Sequence, residues 1–259
     1  MKRYAKRNLV GASQDFLALD GVSFTLTPGT TLAIVGESGS GKSTLASCIA
    51  CLEPPSSGNL WFEGRNLAQS AERDLRDIRP KIQLIFPDPA SSLNPRWNIL
   101  DIVVEPLSLQ LRFSRKERDL RAFVLLERVG LSADMAGRSA AELSGGQRQR
   151  LAIARALTLD PKILILDEAL SALDCSVQAQ IANLLLELQS AQGMTFLFIT
   201  HDLAMAAHLA DEIAVMSQGR IVEHAPSKKI LRSPAHDATR QLLAAVPHLP
   251  HKPGPAIQP

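Results

Sequence analysis

The run Gly36-Glu37-Ser38-Gly39-Ser40-Gly41-Lys42-Ser43 has the spacing G-x-x-x-x-G-K-[ST], a pattern that holds phosphate. Its glycines let the backbone curl until successive N–H groups converge on phosphate oxygens, and a helix starting at Lys42 adds the positive end of its dipole there. Lys42 then reaches the β- and γ-phosphates, Ser43 offers a hydroxyl to Mg²⁺, and Thr44 bonds the α-phosphate. ATP and Mg²⁺ are the implied cofactors. A second set lies in Ile163-Leu164-Ile165-Leu166-Asp167-Glu168, an apolar strand ending in two carboxylates at the sheet edge where ligands of such folds sit. Asp167 suits the metal side, and Glu168 suits a base for the attacking water. A surface Asp-Glu after a strand is common by itself; in register with a phosphate loop it is not.

Leu143-Ser144-Gly145-Gly146-Gln147 opens a helix carrying Arg148, Arg150 and Arg155. Ser144 and Gln147 have capping-box spacing, and the bare glycine amides beside the cap form a second anion site without a lysine. This pentapeptide, followed in order by Asp167-Glu168, Ser171-Ala172-Leu173-Asp174 and Thr200-His201-Asp202, resembles the motifs of ATP-binding cassette (ABC) ATPases over about residues 17 to 247. The resemblance implies two cassettes dimerised head to tail, each ATP held between the phosphate loop of one and Ser144, Gly145 and Gly146 of the other. It implies that Asp174 crosses that interface and His201 contacts the γ-phosphate. Phe16, an aromatic upstream of the loop, either stacks on adenine as in the family or packs in the core.

These groups need a frame. Strands are predicted over 31–35, 81–86, 163–166, 195–199 and 212–216, and helices over 42–51, 147–158, 176–191 and 203–209, a pattern of βα units around a mostly parallel sheet. Residues 23–26 and 60–62, beside Pro28-Gly29 and Ser57-Gly58, are predicted to be antiparallel strands. From Pro89 the strand signals vanish and apolar residues such as Phe123, Leu126 and Val129 recur at helical spacing. The expected fold is α/β: a RecA-like P-loop core with an antiparallel β subdomain and an inserted helical subdomain. Residues 1–88 are expected to form the first part of the core with the β subdomain, and 89–154 the helical lobe ending in the signature. Residues 155–247 complete the core, and 248–259 form a proline-rich disordered tail.

Lys and Arg number 28 against 26 Asp and Glu, a net charge of +2, without the basic excess by which nucleic-acid coats bind phosphate. No nucleic-acid partner is expected. No apolar run approaches the roughly 18 residues that span a bilayer, and the residues after Lys2, Arg3, Lys6 and Arg7 are too polar for a signal peptide. A cytoplasmic chain is expected. Cys48, Cys51 and Cys175 are too few for a disulfide framework, and the pair Cys48-x-x-Cys51 lies in a predicted helix with no second ligand pair.

Asp88-Pro89-Ala90-Ser91-Ser92-Leu93-Asn94-Pro95-Arg96, Leu173-Asp174-Cys175-Ser176-Val177-Gln178-Ala179-Gln180-Ile181 and Leu242-Leu243-Ala244-Ala245-Val246-Pro247 are similar to the ATPase subunits of oligopeptide, dipeptide and nickel importers. That likeness implies integral-membrane permease subunits, a second ABC ATPase subunit, like or unlike, and, indirectly, an external solute-binding protein. It places the chain peripherally on the cytoplasmic face of the inner membrane and leaves the cargo, a peptide or a solute such as a nickel chelate, to the permeases and the binding protein. No cysteine follows Cys175, so the C-terminal iron–sulfur cluster of many partners in that branch is not expected. The alternative is a soluble ABC ATPase acting on DNA or ribosomes, but the first kind inserts coiled coils or zinc modules before the signature and the second carries two cassettes. A small-molecule kinase has no use for the signature helix. One position departs from the family: after Phe86 comes Pro87, where relatives place a glutamine that ligates Mg²⁺ and relays nucleotide state to the permease. Proline has no side-chain ligand and no N–H, and it fixes φ at about −65°. Either water fills the missing ligand place, or this chain contributes a slow site to an asymmetric heterodimer.

Overall fold

Residues 1–7, 13–108 and 113–246 are described by the structure, a computed structural model. The chain runs β1 (Lys2–Arg7), β2 (Ser13–Leu19), β3 (Thr31–Val35), α1 (Lys42–Ile49), β4 (Trp61–Phe62), β5 (Arg65–Asn66), β6 (Ile82–Ile85), α2 (Pro89–Ser92), α3 (Ile99–Ser108) and α4 (Arg115–Arg128). It continues through α5 (Gly145–Leu157), β7 (Ile163–Asp167), α6 (Cys175–Gln192), β8 (Thr195–Thr200), α7 (Leu203–Leu209), β9 (Glu212–Ser217), β10 (Arg220–Pro226), α8 (Ser227–Arg232) and α9 (Asp237–Ala244).

Six strands form one sheet in the order β10-β9-β3-β8-β7-β6, parallel except for the β9–β10 pair. Successive side chains of a strand point to opposite faces, and here both faces are covered, which is why these strands read as unbroken apolar runs. Leu32, Ile34, Ile165, Leu197, Ile199, Ala214 and Met216 face one side, against Leu45 and Ile49 of α1. Ala33, Val35, Leu164, Leu166, Phe196, Phe198, Ile213 and Val215 face the other, against helices from α3 to α8. This is the mostly parallel α/β core expected from the alternating pattern.

Two expectations need correction. Residues 23–26 are not a strand: Val22, Phe24 and Leu26 alternate onto the core, but no ladder partner lies beside them among the described residues. The alternation reported burial and not pairing. The antiparallel pairing lies instead in β1 with β2, and in the short hairpin of β4 with β5. The strand expected over 81–86 is β6, Ile82–Ile85: the N–H of Lys81 closes a 3₁₀ turn on Ile78 O at 2.8 Å, with Pro80 inside that turn, and Phe86 lies beyond the ladder. The tail 248–259 lies outside the described residues. Among those residues no helix is long and apolar enough to cross a membrane.

The register fixes the functional edge. Val35 stands opposite Thr200, and Asp167 opposite Ile199. The C-terminal ends of β3, β7 and β8 are therefore level, and the residues that leave them, Gly36, Glu168 and His201, emerge at one edge of the sheet.

Candidate active site

The phosphate loop joins β3 to α1. Gly41 is the N-cap of α1 with φ 103°, and no side chain caps the helix. A Cβ at Gly41 would stand 2.4 Å from the carbonyl oxygen of Ala18, so only glycine takes this left-handed turn against the neighbouring strand. The first-turn amides of α1 are thus left for a ligand. Lys42 is 4% exposed and donates to the carbonyls of Gly36 at 2.8 Å and Glu37 at 2.9 Å, with Glu168 Oε1 at 3.9 Å. Burial pulls its pKa below the ordinary lysine value, while Glu168 and Asp167 oppose that shift. Ser40 Oγ is buried with no partner among the described residues. An unpartnered hydroxyl, a buried cation and a row of uncapped amides at one loop fit a polyphosphate.

Asp167 ends β7 buried and accepts from Ser43 Oγ at 3.2 Å. Burial raises its pKa, Glu168 adds to the rise, and Ser43 and Lys42 counter it. A hydroxyl beside one carboxylate is the sparse protein donor set that suits Mg²⁺, which takes its remaining ligands from water and phosphate. Among the described residues no cluster of three or more His, Cys, Asp or Glu side chains is placed to hold a metal by itself.

Glu168 adopts φ +46°, a left-handed backbone that costs a non-glycine residue on the order of 1–3 kcal/mol. Three bonds hold it: its N–H donates to Ile199 O at 2.9 Å, and its carbonyl accepts from Ser171 N at 3.1 Å and Ser171 Oγ at 2.8 Å. The twist turns its carboxylate towards β8, where Oε2 lies 3.5 Å from His201 Nδ1. Asp202, the next residue, accepts from the N–H groups of Ala204 and Met205 and caps α7, which fixes the turn that presents His201.

The signature residues are arranged differently. Ser144 is the N-cap of α5 in a closed capping box: Gln147 N donates to Ser144 Oγ at 3.3 Å, and Ser144 N donates to Gln147 Oε1 at 2.9 Å. Ser144 and Gly145 are exposed. A Cβ at Gly146 would fall 2.5 Å from Val177 Cγ1, so glycine there lets the first turn of α5 lie directly against the first turn of α6. Asp174 caps α6 through Val177 N at 2.9 Å and is exposed. Among the described residues no hydrogen bond joins Ser144, Gly145 or Gly146 to residues 36–44.

Phe16 is 57% exposed, so it does not pack in the core. It stands opposite Tyr4 in the β1–β2 ladder, and partners directly opposite share a face. Tyr4 was not apparent from its position in the sequence. Its hydroxyl donates to Glu53 Oε2 at 2.6 Å and lies within reach of the Thr44 hydroxyl at the end of the phosphate loop. That it is the single tyrosine of the chain is visible in the sequence, but its pairing with Phe16 is not.

β6 ends at Ile85, opposite Leu166, and Pro87 follows two residues later in a bend outside the ladder. Gln83 turns away, its Nε2 donating to Arg79 O at 2.6 Å. Cys48 and Cys51 are buried, and burial pushes both thiols up, away from the thiolate that redox or metal chemistry needs.

Comparison with known proteins matches the description of the ABC transporter family to residues 19–171. The chain is 45% identical over 251 residues to the dipeptide transport ATP-binding protein DppF of Haemophilus influenzae, covering 96% of this chain and 77% of that one. It is 49% identical over 230 residues to the probable peptide ABC transporter ATP-binding protein y4tS of Sinorhizobium fredii, covering 89% of this chain and 65% of that one. Among solved structures it resembles the ATP-binding cassette MJ0796, bound to ADP and Pi in a dimeric post-hydrolysis state, with a TM-score of 0.78, 32% identity, and coverage of 87% of this chain and 95% of that one.

Proposed function

The chain belongs to the ABC transporter family, and from that premise we propose that it is the ATP-binding and ATP-hydrolysing subunit of a membrane importer of peptides. The observation that carries this is the meeting of Lys42, the Ser43–Asp167 pair, Glu168 and His201 at one sheet edge, with a second anion-binding helix start, Ser144 to Gly146, unconnected to it. One chain thus offers two unlike halves, and a head-to-tail pair completes both. The phosphate loop from Gly36 to Thr44 binds the triphosphate, the aromatic face of Tyr4 and Phe16 takes the base, and Ser144, Gly145 and Gly146 meet the γ-phosphate of the nucleotide on the other cassette. Asp174 lies at the start of α6, beside that crossing.

Ser43 and Asp167 would hold Mg²⁺, which when bound neutralises charge shared by the phosphates. Glu168 orients the attacking water and accepts its proton, and its strained backbone keeps the carboxylate aimed beside His201. His201 donates to the γ-phosphate side of the site. Permease subunits hold the chain peripherally at the cytoplasmic face of the inner membrane, and an external solute-binding protein supplies the cargo. The names of the relatives, transport proteins for dipeptides and oligopeptides, support the peptide class.

Co-expression with permease subunits tests this. The chain is expected to sediment with membranes only when they are present, and to hydrolyse ATP faster when peptide-loaded binding protein is added. Retention on DNA that weakens with salt, with no membrane fraction, would overturn the proposal in favour of a soluble ATPase.

A further inference from the structure

Helix α5 carries five polar side chains, Gln147, Arg148, Gln149, Arg150 and Arg155. Four are paired. Gln147 closes the cap with Ser144; Arg148 donates to Leu143 O, Arg150 to Val129 O and Gln180, and Arg155 to Ser92 O and Glu105. Gln149 is fully buried, and among the described residues neither its Oε1 nor its Nε2 has a partner. Its neighbours along the helix, Leu151, Ala152, Ile153 and Ala154, are apolar core residues. An amide with both ends unmet inside a core is costly, and a leucine or methionine in its place would fill similar volume without that cost.

We propose that Gln149 is a positioning residue for the hydrolytic reaction: its buried, unpartnered amide is hydrogen-bonded only when α5 shifts to carry Ser144 and its glycines onto the nucleotide of the second cassette. The inference rests on the function proposed above. Location supports it. The arginines on either side of Gln149 tie α5 to the end of α4, to α6, and to α2 and α3, so a displacement of α5 is coupled to these segments. Gly146, one turn before it, keys α5 to Val177 at the start of α6. The unmet amide therefore disfavours the present arrangement relative to one that supplies its partners, and biases the helix towards the displaced position.

The test uses the assembled transporter with Gln149→Leu and Gln149→Met, reading the thermal midpoint of the ATPase chain without nucleotide, and kcat and KM for ATP. Both variants are expected to raise the midpoint by about 5 °C and to lower kcat by about tenfold, with KM changed less than about twofold. A residue with a merely structural role would move midpoint and turnover in the same direction. A midpoint that falls or stays put, the sign of an amide already satisfied by internal water, would overturn the inference. So would an unchanged kcat, or failure of both variants to fold, since methionine matches glutamine closely in length. A parent complex without ATP turnover would instead defeat the function on which the inference rests.

Discussion

Helices α1 and α5 both begin at glycines and present their N-termini to anions, yet their ends are finished in opposite ways. Behind Gly41, α1 has no side-chain cap, and the hydroxyl of the neighbouring Ser40 has no partner among the described residues. Behind Ser144, α5 is closed by its own serine and glutamine. Four N–H groups at a helix start need acceptors, and a good cap is worth about 1 kcal/mol. The phosphate loop forgoes that stabilisation and leaves its first-turn amides without a side-chain acceptor, beside the buried Lys42 and the carboxylates of Asp167 and Glu168. The signature end keeps its cap in the lone chain and, under the proposed pairing, would reach a ligand on another chain through movement of α5 as a whole, with the cap intact. In the proposed function the first half binds the nucleotide and the second meets it from the other chain.

The comparison is tested most severely at Glu168. Glu168→Gln keeps the loop, Lys42 and Ser43, and is expected to bind ATP with nearly unchanged affinity while turnover drops by about 10² to 10⁴. Cassette dimers should accumulate on addition of MgATP. A turnover within about twofold of the parent would remove Glu168 from catalysis and with it the assignment of chemistry to the cis half.

Ser144→Arg probes the other half. The substitution removes the capping box and puts a long side chain on an exposed helix start that has no bond to the phosphate loop. ATP binding by the single chain is expected to fall less than about threefold, while ATP-driven dimerisation is lost in sedimentation. Equal loss of binding and dimerisation would show that Ser144 serves its own chain's nucleotide.

The two halves were not equally legible in the sequence. The strands carrying Val35, Asp167 and Thr200 were plain because burial on both faces demands unbroken apolar runs, and the phosphate loop was plain because its chemistry needs glycines at fixed intervals. The capping box of Ser144 and Gln147 was likewise visible as spacing. Residues 23–26 misled because alternation records burial alone. Tyr4 was missed because its role depends on a hairpin pairing that brings residues 4 and 16 together and sets Tyr4 near Thr44, and no local pattern encodes that register. The strain at Glu168 and the unmet amide of Gln149 were equally invisible, since both arise from long-range packing.

Pro87 sharpens the cis half further. It stands two residues after the end of β6, the strand paired with the one that ends at Asp167, and offers neither a side-chain ligand nor an N–H. Pro87→Gln is expected to raise turnover a few-fold and to lower the Mg²⁺ concentration at which ATP binding is half-maximal, read by nucleotide titration in the assembled complex. Unchanged Mg²⁺ dependence in a folded, assembled variant would show that water already completes the site, and would remove the case for an asymmetric pair of cassettes.

The smallest effects come from the two ends of β7, where carboxylates titrate with opposite consequences. Before the strand, Lys162 and Lys81 both bind Glu63 and hold its pKa down at about 2. A lowered folded pKa stabilises the protein above the ordinary carboxylate range, and that stability is lost as pH falls from about 4.5 to about 2. At the far end, burial raises the pKa of Asp167. Its folded form therefore holds a proton more readily than the unfolded chain, and stability is lost as pH rises through that raised value. Glu63→Gln is expected to lower the thermal midpoint slightly at pH 7, with the gap to the parent closing towards pH 2 and shrinking in high salt, because the pair is solvent-exposed. Asp167→Asn is expected to raise the midpoint at pH 7, measured without nucleotide, with its gap closing as pH falls below the ordinary carboxylate range. The edge away from the phosphate loop is thus held by charges that stabilise the fold, and the edge at the phosphate loop carries one that opposes it. Parallel pH profiles for the two variants would break that distinction.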